Sequence, residues 1–141
     1  MTVTLDKATM ECIGLFQGIT NADVKDCIIE SSQVIYVVDE GQIGSAIGKG
    51  GVNVQKVRSN LGKNIRVCEY NSDPKKFIKN LLGAVKPHEI NIKNNTAFIT
   101  LSPEDKGSVV GKDGKNIKTL TKILERQYNI RNITIKTKSV I

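Results

Sequence analysis

The sequence predicts an α+β protein of two small tandem domains, each a three-stranded sheet packed on three helices. Three observations carry this expectation. The stretch GSAIGKGGVN (Gly44–Asn53) returns as GSVVGKDGKN (Gly107–Asn116), an offset of 63 residues. Around each copy the apolar periodicity runs in one order: helix, strand, strand, helix, loop, helix, strand. The 141-residue length divides into two units of about 70 residues, placed at 1–71 and 72–141.

Across the repeat, Gly44, Ser45, Gly48, Lys49, Gly51 and Asn53 are matched by identical residues at Gly107, Ser108, Gly111, Lys112, Gly114 and Asn116. Ala46, Ile47 and Val54 are exchanged conservatively for Val109, Val110 and Ile117. So long a period exceeds most solenoid repeats and matches a duplicated domain.

In unit one, LDKATMECIGLF puts Leu5, Cys12, Ile13 and Phe16 near helical spacing, with Thr4 as expected N-cap and Gly18 as expected terminator. CIIES and QVIYVVD are β-branched runs divided by a short polar turn. A short apolar helix over Gln42–Ile47 leads into the glycine loop. Val54, Val57 and Leu61 then recur at i, i+3 and i+7, and Gly62 ends that helix. NIRVCEY reads as the closing strand. In unit two, Asp73 caps a helix whose first turn holds Pro74 and whose end is Gly83, with Phe77, Ile78, Leu81 and Leu82 as its apolar face. HEINIKN and TAFITLS form a hairpin about Asn94-Asn95. Pro103 opens a short helix ending near Val110. After the loop, Ile117, Leu120, Leu124 and Tyr128 share the buried stripe of a longer helix, and NITIKTK closes the unit.

Composition excludes several function classes. No apolar run approaches the ~18–20 residues a membrane helix needs, and MTVTLDKATMEC lacks the basic-then-apolar pattern of a secretory leader. Cys12, Cys27 and Cys68 form no CxxC pair and His88 is the single histidine, so no metal or cofactor is expected, and reduced cysteines in a cytoplasmic setting are. No acid–base constellation or activated nucleophile is recognisable, so an enzyme is not expected. Net charge is +7 but uneven: residues 1–71 hold 7 basic and 8 acidic side chains, net −1, and residues 72–141 hold 14 and 6, net +8. The basic half points to a polyanion partner.

The glycine loop has the chemistry to hold one. Two glycines permit a sharp turn and close backbone approach. The following helix N-terminus offers unpaired amides and a favourable dipole, and a lysine adds mobile charge. The spacing is wrong for a nucleotide P-loop, since three residues separate Gly44 from Gly48 and Lys49 is followed by Gly50. The dinucleotide pattern GxGxxG is also absent. With three Tyr, three Phe and no Trp, an aromatic stacking platform is not expected, and an aliphatic groove suits the composition better.

A GxxG loop between two helices, preceded by Ile47 or Val110, resembles the KH domain, and two strands before the loop with one after it resembles the type II arrangement. ITNADVKDC, GSAIGKGGVNVQKV, GKNIRVCEYNSDPKKFIKNLL and VVGKDGKNIK together resemble the archaeal NusA-like family over essentially the whole chain. The resemblance implies a monomeric, cytoplasmic, non-enzymatic RNA-binding factor of transcription termination or elongation. Single-stranded RNA, nascent transcript first, would be its partner. RNA polymerase or other transcription factors are further candidate partners, and no membrane is expected. Two alternatives stay open: a ribosomal-RNA or ribosome-assembly factor, and a protein adaptor whose RNA binding is confined to unit two.

Carried onto this sequence, the RNA-contacting candidates are Gly48, Lys49, Gly50 and Gly51, and Gly111, Lys112, Asp113 and Gly114. Lys56, Arg58, Lys115 and Lys118 are placed to assist from the following helices, or are ordinary solvated charges. Ile47, Val54, Val110 and Ile117 line a nucleotide groove, pack the core, or do both. Asp113 puts a carboxylate where phosphate would approach, or else caps the helix beginning near Lys115. The expected division is that loop one grips closely while unit two supplies the long-range field.

Overall fold

Each half of the chain folds as a mixed three-stranded sheet backed by helices in the computed structural model, which describes residues 6–139. Unit one runs α1 (Lys7–Thr20), β1 (Val24–Ile29), β2 (Gln33–Val38), α2 (Ile43–Ile47), α3 (Val52–Leu61) and β3 (Asn64–Glu69). Unit two runs α4 (Pro74–Leu82), β4 (Glu89–Lys93), β5 (Thr96–Leu101), α5 (Pro103–Val110), α6 (Lys115–Tyr128) and β6 (Asn132–Thr137). The two compact units divide between Ser72 and Asp73. This is the expected α+β architecture, with two strands before each glycine loop and one after.

In both units the first strand pair is antiparallel and the last strand lies parallel to the middle one. Connection length explains the difference. The loop at 30–32 and the Asn94-Asn95 turn are short enough for hairpins, and both asparagines take the positive φ (51° and 59°) that such a tight turn demands. A parallel neighbour needs a long crossover, and α2–α3 and α5–α6 supply it. The glycine loop therefore sits midway along each crossover.

Burial fixes those crossovers to the sheets. In unit one, Phe16 from α1 stacks on Tyr36 from β2 with ring centroids 4.0 Å apart. The Tyr36 hydroxyl donates to the Cys12 carbonyl at 2.9 Å. Ala46 of α2 and Val57 of α3 are fully buried against this cluster. Their counterparts in unit two, Val109 and Leu120, are buried as well. Each helix flanking a loop thus carries a buried side chain at the same place in the repeat.

Some local expectations change. Thr4 and Leu5 lie outside the described residues, and the N-cap of α1 is Asp6, whose carboxylate accepts from the Thr9 amide at 2.8 Å and is thereby held below the usual carboxylate range. Gly18 does not end α1. The helix continues to Thr20 because that buried residue turns its hydroxyl onto the Phe16 carbonyl, and Asn21 in the left-handed region (φ 59°) closes it. Strand β1 begins at Val24, ahead of the CIIES run, with a bulge between Val24 and Asp26. Gln42 lies just outside α2 and makes no side-chain capping bond; its amide group instead accepts from the Asp23 amide and donates to the Asp23 carboxylate. Other end signals hold: Gly62 and Gly83 close α3 and α4 with positive φ, and the Asp73 carboxylate accepts from the Lys75 amide at 3.0 Å. On α6 the stripe is wider than expected, with Thr119 and Ile123 buried beside Leu120 and Leu124, and Tyr128 half-buried against Phe77 with ring centroids 5.2 Å apart.

All three cysteines are free thiols. Burial pushes Cys12 upward and Cys68 up to about 12, so both are neutral and poorly nucleophilic near pH 7.

Two outcomes are expected. Phe16→Ala should cost about 3–5 kcal/mol by opening a cavity under Tyr36, while Tyr36→Phe should cost about 1 kcal/mol by removing the hydroxyl's bond to the Cys12 carbonyl, both read by urea denaturation. The Cys68 thiol binds its proton more tightly folded than unfolded. Its stabilisation is therefore complete below its ordinary value of 9.0 and is lost as pH rises toward about 12. Cys68→Ala should flatten the alkaline limb of a stability–pH curve over that window.

Candidate nucleic-acid interface

The two loops have one backbone. Helix α2 stops at Gly48 (φ 78°, ψ 167°), and Lys49–Gly51 form a single 3-10 turn with Gly50 at φ 64°, ψ 18° and Gly51 at φ 78°, ψ 15°. Helix α5 stops at Gly111 (φ 77°, ψ 170°), and Lys112–Gly114 repeat the turn with Asp113 at φ 57°, ψ 26° and Gly114 at φ 73°, ψ 16°. The hydrogen bonds repeat too. Gly48 and Gly111 amides donate to the Gly44 and Gly107 carbonyls at 2.9 Å, and Gly51 and Gly114 amides donate to Gly48 and Gly111 at 3.0 and 3.1 Å.

Side chains of the repeat hold this shape. The Asn53 side chain donates to the Ser45 carbonyl at 2.8 Å, and Asn116 donates to Ser108 at 2.9 Å. Carbonyls in the last turn of a helix lack intrahelical partners, so each asparagine satisfies one and staples the two helices across the turn. The asparagine then occupies the space beside the first glycine. A Cβ on Gly48 would lie 2.8 Å from Asn53 Cγ, and one on Gly111 would lie 2.8 Å from Asn116 Cγ. Ser45 and Ser108 hydroxyls donate back to the Gln42 and Asp105 carbonyls at 3.1 and 3.0 Å. The sequence shows Ser and Asn as repeated identities, but their work is to build the loop, and only the contacts reveal it.

The middle of each turn is different. A Cβ at Gly50 would meet nothing within 4 Å, and Lys49, Gly50, Lys112 and Asp113 are all exposed. Asp113 does not cap α6. Gly114 holds the cap position and no side chain bonds there, because Asp113 lies within the turn itself, in the left-handed region. Its carboxylate therefore stands at the tip, at the position that Gly50 leaves bare.

Beside loop one lies a groove of about 360 Å³, lined by Ile47, Gly51, Val54, Gln55, Ile65 and Val67. Ile47 is 41% exposed and so lines the groove, while Val54 is half-buried and contributes to groove wall and packing alike. Gln55, Ile65 and Val67 were not singled out from the sequence. The strand alternation that sends Ile65 and Val67 to the face shared with Tyr36 was the available signal. In unit two, Val110 and Ile117 are half-buried. Arg58, one turn beyond Val54, falls on the groove side of α3, whereas Lys56 lies about 200° around the helix from Val54 and faces away. Lys118 occupies the position of Gln55 in the repeat, Lys115 that of Val52, and both are exposed.

Among the described residues no group of three or more His, Cys, Asp or Glu side chains is arranged to hold a metal ion, and no helix is long and apolar enough to cross a membrane. The arrangement offers turn amides, mobile ammonium groups and an aliphatic trough, which together suit a sugar-phosphate backbone with bases laid beside it.

The staple gives a stability test. Gly50→Ala should cost about 1 kcal/mol for its left-handed backbone alone, and Gly48→Ala should cost about 2 kcal/mol or more because Asn53 blocks the new methyl. Adding Asn53→Ala to Gly48→Ala should cost less than the two singly, by about 0.5 kcal/mol or more, in a double-mutant cycle followed by denaturation.

Comparison with known proteins agrees with this fold. Residues 13–72 match the KH domain family, and residues 74–138 match the NusA-like second KH domain. The chain is 35% identical over 127 residues to the probable transcription termination protein NusA of Methanocaldococcus jannaschii, covering 87% of this chain and 69% of that protein. It is 30% identical over 138 residues to the protein of the same name from Halococcus morrhuae, covering 96% and 99%. The crystal structure of APE1850 superposes with a TM-score of 0.77 at 35% identity, covering 94% of this chain and all of that one.

Proposed function

Because this chain belongs to the archaeal NusA-like family, a non-enzymatic family with two KH domains, we propose that it is an RNA-binding factor of transcription termination or elongation that grips single-stranded RNA through both GxxG loops. The names of its relatives support the transcriptional role, and KH domains bind RNA. The observation that carries the gripping role is the loop itself. Two copies hold the same left-handed turn with an exposed lysine at the same place, and unit two keeps it even with a non-glycine residue, Asp113, at φ 57°.

A phosphate would rest against the turn amides and the start of the following helix, with Lys49 or Lys112 as counter-charge. Bases would lie in the aliphatic trough of Ile47 and Val54, or of Val110 and Ile117, with Arg58, Lys115 and Lys118 along its rim. The loops are unequal. Gly50 leaves the approach open, while the Asp113 carboxylate opposes phosphate with a repulsion of about 1–4 kcal/mol at contact distance. Unit two offsets this with its +8 net charge, which draws RNA in from a distance, and tethering the two sites adds avidity. Nascent transcript in the cytoplasm, at or near RNA polymerase, is the client this reading assigns.

A charge reversal tests it. Lys49→Asp combined with Gly50→Asp should lower affinity for single-stranded RNA tenfold or more. The fold should survive, because Asp113 already occupies the matching left-handed backbone position in unit two. Unchanged binding with an unchanged circular dichroism spectrum would sink the loop-grip reading and favour the adaptor with RNA confined to unit two. Crosslinking in cells with sequencing of bound RNA should recover nascent transcripts, and recovery of ribosomal RNA alone would assign the other client.

A further inference from the structure

The sheet of unit two has a second face. Along β5, Ala97, Ile99 and Leu101 are buried in the core, while Thr96, Phe98 and Thr100 alternate with them and stand half-buried on the opposite side. Phe98 pairs there with Asn91 of β4 and Thr134 of β6, both exposed, at the ~4.8 Å spacing of adjacent strands. Glu89 and Lys136 flank Thr100, and Lys93 flanks Thr96, all three exposed. One aromatic ring therefore stands at the centre of a face otherwise made of hydroxyls, an amide and charges. The Lys136 ammonium lies over it, 5.1 Å from the ring centroid. Lys138, exposed, repeats the alternation two residues on, and its amide donates to the Leu101 carbonyl at 2.9 Å. This face is particular to unit two. At the offset of 63 residues, Asn91, Phe98 and Thr100 stand where unit one has Ile28, Ile35 and Val37, and Lys136 pairs with Thr100 as Cys68 pairs with Val37. Those four residues of unit one are buried.

From this we propose that the open face of the second sheet is a nucleobase platform, on which one base of an RNA strand stacks against Phe98. The proposal rests on the RNA-binding reading above and adds a contact outside the loops. Charge favours a polyanion: three lysines face one carboxylate, in a unit of net charge +8. The charges also orient the strand. On β4, Lys93 offsets Glu89, whereas β6 carries Lys136 and then Lys138, with no acidic residue. The phosphates therefore run along β6, and the base turns inward to the ring. Lys136 leaves the ring for a phosphate as the base arrives, and Asn91 and Thr134 offer hydrogen bonds to its edge. Strand β6 lies at the edge of its sheet. On its other face Ile133 and Ile135 pair with β5 as Ile65 and Val67 of the groove wall pair with β2. RNA leaving the trough of unit two thus reaches the platform by crossing one strand. Composition argues against a platform of several rings, and this one needs a single ring, since every base has a π-face to stack.

The test uses the full chain with decanucleotide oligoadenylate and oligouridylate. Phe98→Leu keeps the apolar volume and removes the ring. It should weaken oligoadenylate binding roughly fivefold or more, narrow the preference for adenine over uracil, and leave the circular dichroism spectrum unchanged. Phe98→Tyr, which keeps the ring, should bind within about twofold of the unaltered chain. Lys136→Gln together with Lys138→Gln should lower the slope of log affinity against log salt by about 1.4, two phosphates' worth on a single strand. In amide spectra, oligoadenylate should shift Asn91, Phe98 and Thr134 as well as the glycine loops. Loop shifts without shifts on this face, or full affinity in Phe98→Leu, overturn the platform, leave the loop grip standing and favour a protein partner for this face. Shifts on this face without loop shifts uphold the platform and overturn the grip. Absence of binding by the unaltered chain overturns both.

Discussion

The bond from the Asn53 side chain to the Ser45 carbonyl, repeated by Asn116 and Ser108, is the contact on which the interface depends. A sharp reversal between two helices leaves carbonyls of the first without partners. The asparagine supplies one, and in doing so fills the volume where the first glycine of the loop would carry a side chain. That glycine is thereby fixed by packing, and its positive φ follows. Lys49 and Lys112 then project from a corner braced by hydrogen bonds on both sides of the turn. Ala46 with Val57, and Val109 with Leu120, seat the same corner on the sheet from below.

The duplication separates structural demands from chemical latitude. What the corner needs for its shape is present in both copies: Ser, Asn, the first and last glycines and the buried pair. What faces outward has diverged. Gly50 has become Asp113, Val52 has become Lys115, and Gln55 has become Lys118. One copy is a nearly neutral, apolar trough with a bare turn, and the other is a charged rim with a carboxylate at its tip. Two sites on one scaffold with different surfaces can divide a task, and the proposed division between close contact and long-range attraction follows from those three exchanges.

The resemblance to tandem KH domains was legible because it rests on order and spacing, which a sequence carries directly. Helix ends marked by Gly62, Gly83, Asp73 and Pro74 were legible because their conformational preferences are local. Gly18 misled for the same reason: its weak helix propensity is local, while the burial of Phe16 and Thr20 that carries α1 past it depends on contacts with the sheet. Asp113 misled as a cap because its suitability for that role is a property of the residue, whereas its place within the turn is set by the backbone of the corner.

By itself, the sequence determined the two-unit α+β plan, the strand order that makes each sheet mixed, the position of the loops on the crossovers and the concentration of charge in the second half. These follow from periodicity, connection length and composition, all readable along the chain. Tertiary structure alone decided why Asn53 and Asn116 recur, that Ile47 faces outward while Lys56 faces away from the groove, and that Ile65 and Val67 of a strand complete a wall begun by α3. It also decided that Phe98 stands at the centre of an open sheet face with Lys136 over its ring. Each of these depends on which side chains residues distant in sequence bring to the same few ångströms, and no local pattern encodes that distance.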